Sequence, residues 1–411
     1  MAHWLSSCRS RRPGRDAGAC PPANRVITPG AFLPTGIARP ASTPAELAQL
    51  RQTPFDTDID FPMDSIALTQ FSHGGGCGCK IAPGLLAEIL AQAPQGLVPP
   101  QLLVGTETGD DAAVYRLNDS QALVATTDFF TPIVDDPRDF GRIAATNALS
   151  DIYAMGGTPI MALALVGMPI AKLPAEVIGR VLEGGAEVCR SAGIPIAGGH
   201  SIDVLEPIYG LVGLGLVHPE RVRRNADARA GDVLVLGKPL GVGILSAALK
   251  KGELDAAGYA EMIRHTTQLN RVGIELAQME GVHAMTDVTG FGLAGHLLEI
   301  CRGSRLSARV RLADVPRIDI AAEFAQRGIA TGASARNWNG YGAQVDWPAH
   351  APAWQRALVS DPQTSGGLLV SCRPDTAPAV LQAFHGAGFE QAAAIGDMEP
   401  AAPAGSRLGF A

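Results

Sequence analysis

The chain has little charge, few aromatic side chains and no long apolar run, and each shortage removes a class of function. Charged residues are 18% and aromatic residues 5% of the 411, and Lys+Arg 33 against Asp+Glu 40 leaves a formal net charge of −7. That balance offers no basic face of the kind that grips nucleic acid. No apolar stretch reaches the roughly 20 residues needed to cross a bilayer. The seven cysteines are an odd number in a long chain that lacks an apolar secretory segment. A disulfide framework is therefore not expected, and a reducing, cytoplasmic setting is. A zinc ribbon is also not expected. Cys77-Gly-Cys79 supplies two of the four ligands a structural zinc needs, and no second Cys pair or Cys/His cluster completes the set.

What the chain does have is glycine, 48 residues, and proline, 30, with hydrophobic residues at 46%. The length exceeds what one hydrophobic core normally supports, so two domains are expected. Residues 1–62 stand apart, with nine prolines, Arg9, Arg11, Arg12 and Arg15, and no apolar period. They read as a disordered extension, and Met63 reads as the start of the compact protein or the true start of translation. From there strands and helices alternate. Strands are expected at 122–127, 160–166, 194–197, 209–217, 232–237 and 284–286, and helices at 139–154, 175–192, 243–250, 259–279 and 291–301. The pattern is mixed α/β, and the small, polar stretch 225–231 marks a joint between domains 63–225 and 226–411.

The segment His73-Gly-Gly-Gly-Cys77-Gly-Cys79-Lys80 places two thiols and an ammonium group on a backbone with almost no steric restraint. It reads either as a mobile, reactive loop or as a glycine linker that happens to carry cysteines. As a reactive loop, a nearby lysine lowers a thiol's pKa toward thiolate, and the same lysine can hold a phosphate oxygen.

Four aspartate sites, Asp110-Asp111, Asp128, Asp151 and Asp287, each abut an apolar strand or helix. Singly, such residues usually cap helices or turns. Together they can converge on one cleft, where hard oxygen ligands suit magnesium and substrate phosphates complete its shell. Asp151 follows Asn147 by four residues, so both share a helical face. Gly198-Gly199-His200-Ser201 follows a strand and can meet a phosphate or ribose, although a plain turn is as good a reading. Ser365-Gly366-Gly367 reads as a tight turn before a strand, with no role set by spacing. The echo of Ala125-Thr-Thr-Asp128 in Ala284-Met-Thr-Asp287 hints at two related folds in tandem.

Together these segments resemble the selenophosphate synthetase (selenide, water dikinase) family. The likeness rests on Leu68-Thr-Gln-Phe-Ser-His-Gly-Gly-Gly-Cys-Gly-Cys-Lys80, Asp110-Asp-Ala-Ala-Val-Tyr115, Thr126-Thr-Asp-Phe-Phe130 and the run Gly141 to Gly157. It extends through Ala197-Gly-Gly-His-Ser-Ile-Asp203, Met285 to Leu293 and Asp361-Pro-Gln-Thr-Ser-Gly-Gly-Leu-Leu369. It covers about residues 64–400. It implies two α/β domains of the aminoimidazole-ribonucleotide-synthetase-like kind, a homodimer formed through the N-terminal sheet, and conversion of ATP, selenide and water into selenophosphate, AMP and orthophosphate. It also implies that Cys77 is the essential thiol and Lys80 its phosphate-contacting partner, and that Asp111, Asp151 and Asp287 hold Mg2+. The implied nucleotide positions are Lys80, Thr108, Gly109, Asp110, Asp128, Asp151, Gly199, His200 and Ser201. Gly109 departs from the family, where a larger or charged residue is common, so only its backbone is expected to make contact. Sister enzymes of the superfamily, such as purine-pathway synthetases or thiamine-phosphate kinases, share the aspartates but have no reason to carry the Cys/Lys loop. A thiol metal carrier would not need the acidic cleft.

Overall fold

In the computed structural model, the described residues are 66–81, 83–92, 96–106, 109–402 and 407–411. The expected extension 1–62 lies outside them, as does Thr108. After a first helix, α1 (Pro83–Gln92), come β1 (Leu102–Val104), β2 (Ala113–Arg116) and β3 (Ala122–Phe130). Helix α2 (Pro137–Ala154), β4 (Thr158–Met168), α3 (Ala175–Ser191), β5 (Ile196–Asp203) and β6 (Ile208–Val217) complete the first half. These strands form one sheet in the order β1-β2-β3-β6-β4-β5. The pairs β1/β2, β2/β3, β3/β6 and β4/β6 are antiparallel and β4/β5 is parallel.

Helix α2 sets the position of the chemistry. Asp136 caps its N-terminus by accepting from the Asp139 N–H, and Pro137 occupies the first turn, where its missing donor costs nothing. The helix is buried almost all round, because the sheet lies on one side and α3 on the other. Its contact with α3 is backbone to backbone: a Cβ at Gly141 would overlap the carbonyl of Val181.

The second half contains β7 (Val233–Leu236), α4 (Val242–Lys250), α5 (Ala256–Thr266), α6 (Gly273–Leu276), β8 (Val282–Asp287), α7 (Gly292–Ser304) and β9 (Leu306–Val310). It continues with α8 (Asp319–Gln326), α9 (Gly332–Tyr341), β10 (Val345–Asp346), α10 (Ala353–Val359), β11 (Leu368–Cys372), α11 (Ala377–Gly386), β12 (Ala393–Pro400) and β13 (Leu408–Phe410). Its seven strands order as β10-β13-β9-β12-β7-β11-β8. Every residue of β8 and β11 is buried. One apolar cluster runs through both halves, from Val124 and Ile152 to Leu293 and Leu369, so the acidic residues between the sheets stand on a continuous core.

Two expected elements differ. A single helix over 259–279 is broken after Thr266, where the Thr266 and Thr267 hydroxyls bond back to the carbonyls of Met262 and Ile263. Asn270, in the break, turns inward to bond Ser150 Oγ at 2.8 Å and the Gly366 carbonyl at 2.9 Å. The Gly198-Gly-His-Ser segment is not a loop after a buried strand. It lies within β5, which is exposed along nearly its whole length. The joint at 225–231 is tighter than its composition implies: Asn225 is fully buried, and its N–H reaches Asp110 Oδ1 at 2.7 Å.

Replacing Gly141 by Ala forces α2 and α3 apart, and a loss of about 1–3 kcal/mol is expected. A shift of the chemical-denaturation midpoint to lower denaturant would show it, and an unchanged midpoint would contradict the close approach.

Candidate functional site

The loop that carries both thiols lies across the face where α2, β3 and β8 meet. Cys77–Cys79 form one 3-10 turn, and the Gly76 N–H bonds the Thr131 carbonyl at 2.8 Å. Gly76 has φ 57°, and a Cβ there would overlap both Ile133 and Thr364, so glycine is required by space as well as by conformation. The Cys77 N–H donates to Thr364 Oγ1 at 3.1 Å, and the Cys77 thiol to Asn147 Oδ1 at 3.4 Å.

Asn147 joins three parts of the site. Its amide donates to Asp128 on β3, while its carbonyl oxygen also accepts from the Ser365 N–H at 2.6 Å. Ser365 has φ 57°, unusual for a residue with a side chain. The buried Lys238 fixes this turn, donating to the carbonyls of Ser365 at 2.9 Å and Gln268 at 2.7 Å. Burial pulls the Lys238 pKa down to about 7. In the same Asp-Pro-Gln-Thr-Ser-Gly-Gly stretch, Asp361 accepts from the Ile244 N–H and Gln363 from those of Gly241 and Val242. Both therefore serve the N-terminus of α4.

The carboxylates converge as the sequence led one to expect. Asp151 and Asp287 are buried, at 8% and 1% exposure, and Asp111 is half-buried. Burial, then mutual repulsion, raises the pKa of Asp111 and of Asp151 well above the usual range, and burial raises that of Asp287. Hydrogen bonds oppose this only in part: Thr126 donates to Asp151, and Thr286 donates to Asp111 at 2.7 Å. Among the described residues, one oxygen each of Asp111 and Asp287 is buried without a partner. Asp287 does not cap the following helix, because α7 has no side-chain cap. Lys80, exposed as a residue, turns its ammonium toward these groups, and Asp128 foremost, with Asp151 and Asp287 adding to it, favours the charged form.

The expected thiolate at Cys77 is corrected in this conformation. Burial, followed by the negative charge of Asp128, pushes the thiol strongly up, and Lys80 offsets only part of it. Cys77 is 1% exposed, so the group here is a protonated, sequestered thiol.

The structure brings together Cys77, Lys80, Asp111, Asp128, Asp151 and Asp287, with Asp110 held at the joint. Gly109 is exposed with φ 65° and its carbonyl accepts from Asn225. Gly199, His200 and Ser201 lie apart, on β5 at the sheet edge. That edge is three strand spacings from Asp128 on β3, roughly 14 Å. Sequence reasoning gave no role to Thr126, Thr286, Thr364 or Lys238. Only Lys238 carried a signal, as the sole charged residue between Val233 and Leu249.

The buried carboxylates oppose stability while they remain uncompensated. Asp287→Asn removes one charge and is expected to stabilise the cation-free protein by about 1 kcal/mol while abolishing any stabilisation by magnesium. Thermal unfolding with and without Mg2+ checks both, and equal magnesium stabilisation of the two proteins would contradict the assignment.

Comparison with known proteins gives the family and the fold. Residues 109–217 match the family model of the AIR synthase related protein N-terminal domain, and residues 229–405 that of its C-terminal domain. Among curated relatives, a selenide, water dikinase of Paraburkholderia xenovorans (strain LB400) is 65% identical over 343 residues, covering 83% of this chain and 97% of the relative. One from Dechloromonas aromatica (strain RCB) is 62% identical over 342 residues, covering 83% and 98%. Among solved structures, the hydrogenase maturation protein HypE in complex with ATP superposes with a TM-score of 0.55 at 20% identity, covering 85% of this chain and 90% of that one. Thiamine-monophosphate kinase from Stenotrophomonas maltophilia K279a gives 0.54 at 19% identity, covering 80% and 96%. The structural likenesses establish the fold, and the sequence identities establish that this chain belongs to the selenide, water dikinase family.

Proposed function

We propose that the protein makes selenophosphate from selenide, ATP and water, releasing AMP and orthophosphate. The observation that carries this reading is the seating of Cys77 and Lys80, on one short loop, against a buried cluster of carboxylates. Phosphoryl transfer needs positioned positive charge around phosphate oxygens and little covalent help from the protein. Lys80 supplies that charge directly and contacts the transferred phosphoryl group.

Asp111, Asp151 and Asp287 would hold Mg2+. Among the described residues no three His, Cys, Asp or Glu side chains are already drawn into a cation cage. The residues nevertheless fit, because Asp111 and Asp287 each keep an unpartnered oxygen and the cluster repels itself. Magnesium retains several waters and takes ligands from substrate phosphates, so it does not need a closed protein cage. When bound, it would neutralise charge on the nucleotide phosphates.

The nucleotide positions carried over from the family are Lys80, Thr108, Gly109, Asp110, Asp128, Asp151, Gly199, His200 and Ser201. Gly199, His200 and Ser201 do not reach the carboxylates within one chain. The same proposal includes a homodimer through the N-terminal sheet, which is supported by β5 being an edge strand with Ile202 and Leu205 on and beside it 50% and 86% exposed. The division into domains 63–225 and 226–411, each with its own sheet, and a cytoplasmic location belong to the same proposal.

Cys77 handles selenium. Its burial protects the thiol and seals the loop over the carboxylates, which limits access by water until the γ-phosphoryl group is transferred. Asn147 holds the thiol and Asp128 in register. Cys77→Ser is expected to lose at least 100-fold in selenide-dependent AMP release while nucleotide affinity stays within about threefold of the parent. Full activity in that variant would end the role of the thiol, and loss of nucleotide binding would show a structural one.

A further inference from the structure

The loop has a second face. On the side of Cys79, with Cys77 turned away, lies a cavity of about 650 Å³ between the loop, α4 and α9. Three cationic side chains, Lys250, Lys251 and Arg336, line it together with the stem of Lys80, and among the described residues no aspartate or glutamate does. That is a marked segregation in a chain whose formal charge is −7. Glu206 bonds the lining residue His73 at 2.8 Å but is not itself part of the wall. Two of the cations hold the loop's backbone: Arg336 donates to the Gly78 carbonyl at 2.8 Å and Lys250 to that of Ser72 at 3.1 Å. The Lys251 ammonium makes no hydrogen bond or ion pair among the described residues, so its charge is available to a ligand. Cys79 is tied to Thr131 Oγ1 at 2.9 Å on the same side.

The loop therefore lies between two groupings of opposite sign, the acidic cluster and this basic cavity. The acidic one, with Cys77, suits a cation and the phosphates it carries. The basic one suits a small anion that must arrive without competing for that cation.

We propose that the basic cavity captures the selenium substrate as a small monovalent anion, hydroselenide, on the side of the loop opposite the carboxylates. This rests on the reading of the protein as a selenophosphate-forming enzyme. Selenide in neutral water is the hydroselenide anion, and a concave site lined by one sign of charge concentrates the opposite ion. Free phosphate has the same sign and is the competing guest. Capture alone is assigned to the cavity; bond making stays at Cys77 and the phosphoryl group.

Ala247 on α4 lines the cavity and takes no part in the machinery described above. Ala247→Asp places a carboxylate on the wall, and Ala247→Asn is its uncharged counterpart of the same shape. Anaerobic, selenide-dependent AMP release is measured for both, with Lys251→Glu as an independent variant and thermal unfolding as the check on folding. The Asp and Glu variants are expected to raise KM for selenide roughly five- to tenfold, with KM for ATP within twofold of the parent and the Asn variant close to the parent. Added inorganic phosphate should compete with selenide and not with ATP. Equal effects of Asp and Asn, parallel rises in both KM values, or phosphate competing only with ATP would overturn the proposal. A parent protein that releases no AMP with selenide would instead overturn the functional reading on which it rests.

Discussion

Asp111, Asp151 and Asp287 lie close enough together, and deep enough in the protein, that charging any one makes charging the others harder. Asp151 and Asp287 are buried and Asp111 half-buried, and too few hydrogen bonds compensate them. Much of the rest of the structure bears on this one constraint. Helix α2 is pressed against the sheet with its Asn147–Asp151 face toward the cleft, and β8 delivers Asp287 from the other half of the protein. The loop brings Lys80 as the cation that Asp128, Asp151 and Asp287 keep charged. A cluster of this kind is strained by its own charge, so stability is given up locally at these three residues.

The thiol follows from the same electrostatics. Lys80 alone would favour thiolate, but burial and the Asp128 charge outweigh it, so Cys77 is kept protonated while the loop is seated. Sequence logic that placed a lysine three residues from a cysteine had the right partners and the wrong balance. The missing quantity was burial, which spacing does not report.

Long apolar periods were legible: β3, β4, β6, α2 and α3 lie where alternation and helical spacing put them. The convergence of the aspartates was also legible, because strand-end and helix-end acids in an α/β chain have few places to go. Three things were not. The break after Thr266 depends on threonine hydroxyls competing with the helix and on Asn270 being needed elsewhere. The exposure of β5 depends on its place at the sheet edge, a matter of topology, so Gly199-His200-Ser201 read as a loop. Lys238 and Thr364 act through contacts with residues 30 to 287 positions away, which no local pattern encodes.

The Cys-Gly-Cys-Lys segment has two faces of opposite electrostatic character. Cys77 and the Lys80 ammonium look toward the acids, while Cys79 and the stem of Lys80 border the basic side. The most direct test of the whole account is phosphorus NMR of the purified protein with ATP, magnesium and selenide under anaerobic conditions. A resonance split by selenium, growing in step with AMP and orthophosphate, is the expected result. Accumulation of ADP with no phosphorus–selenium signal would contradict it.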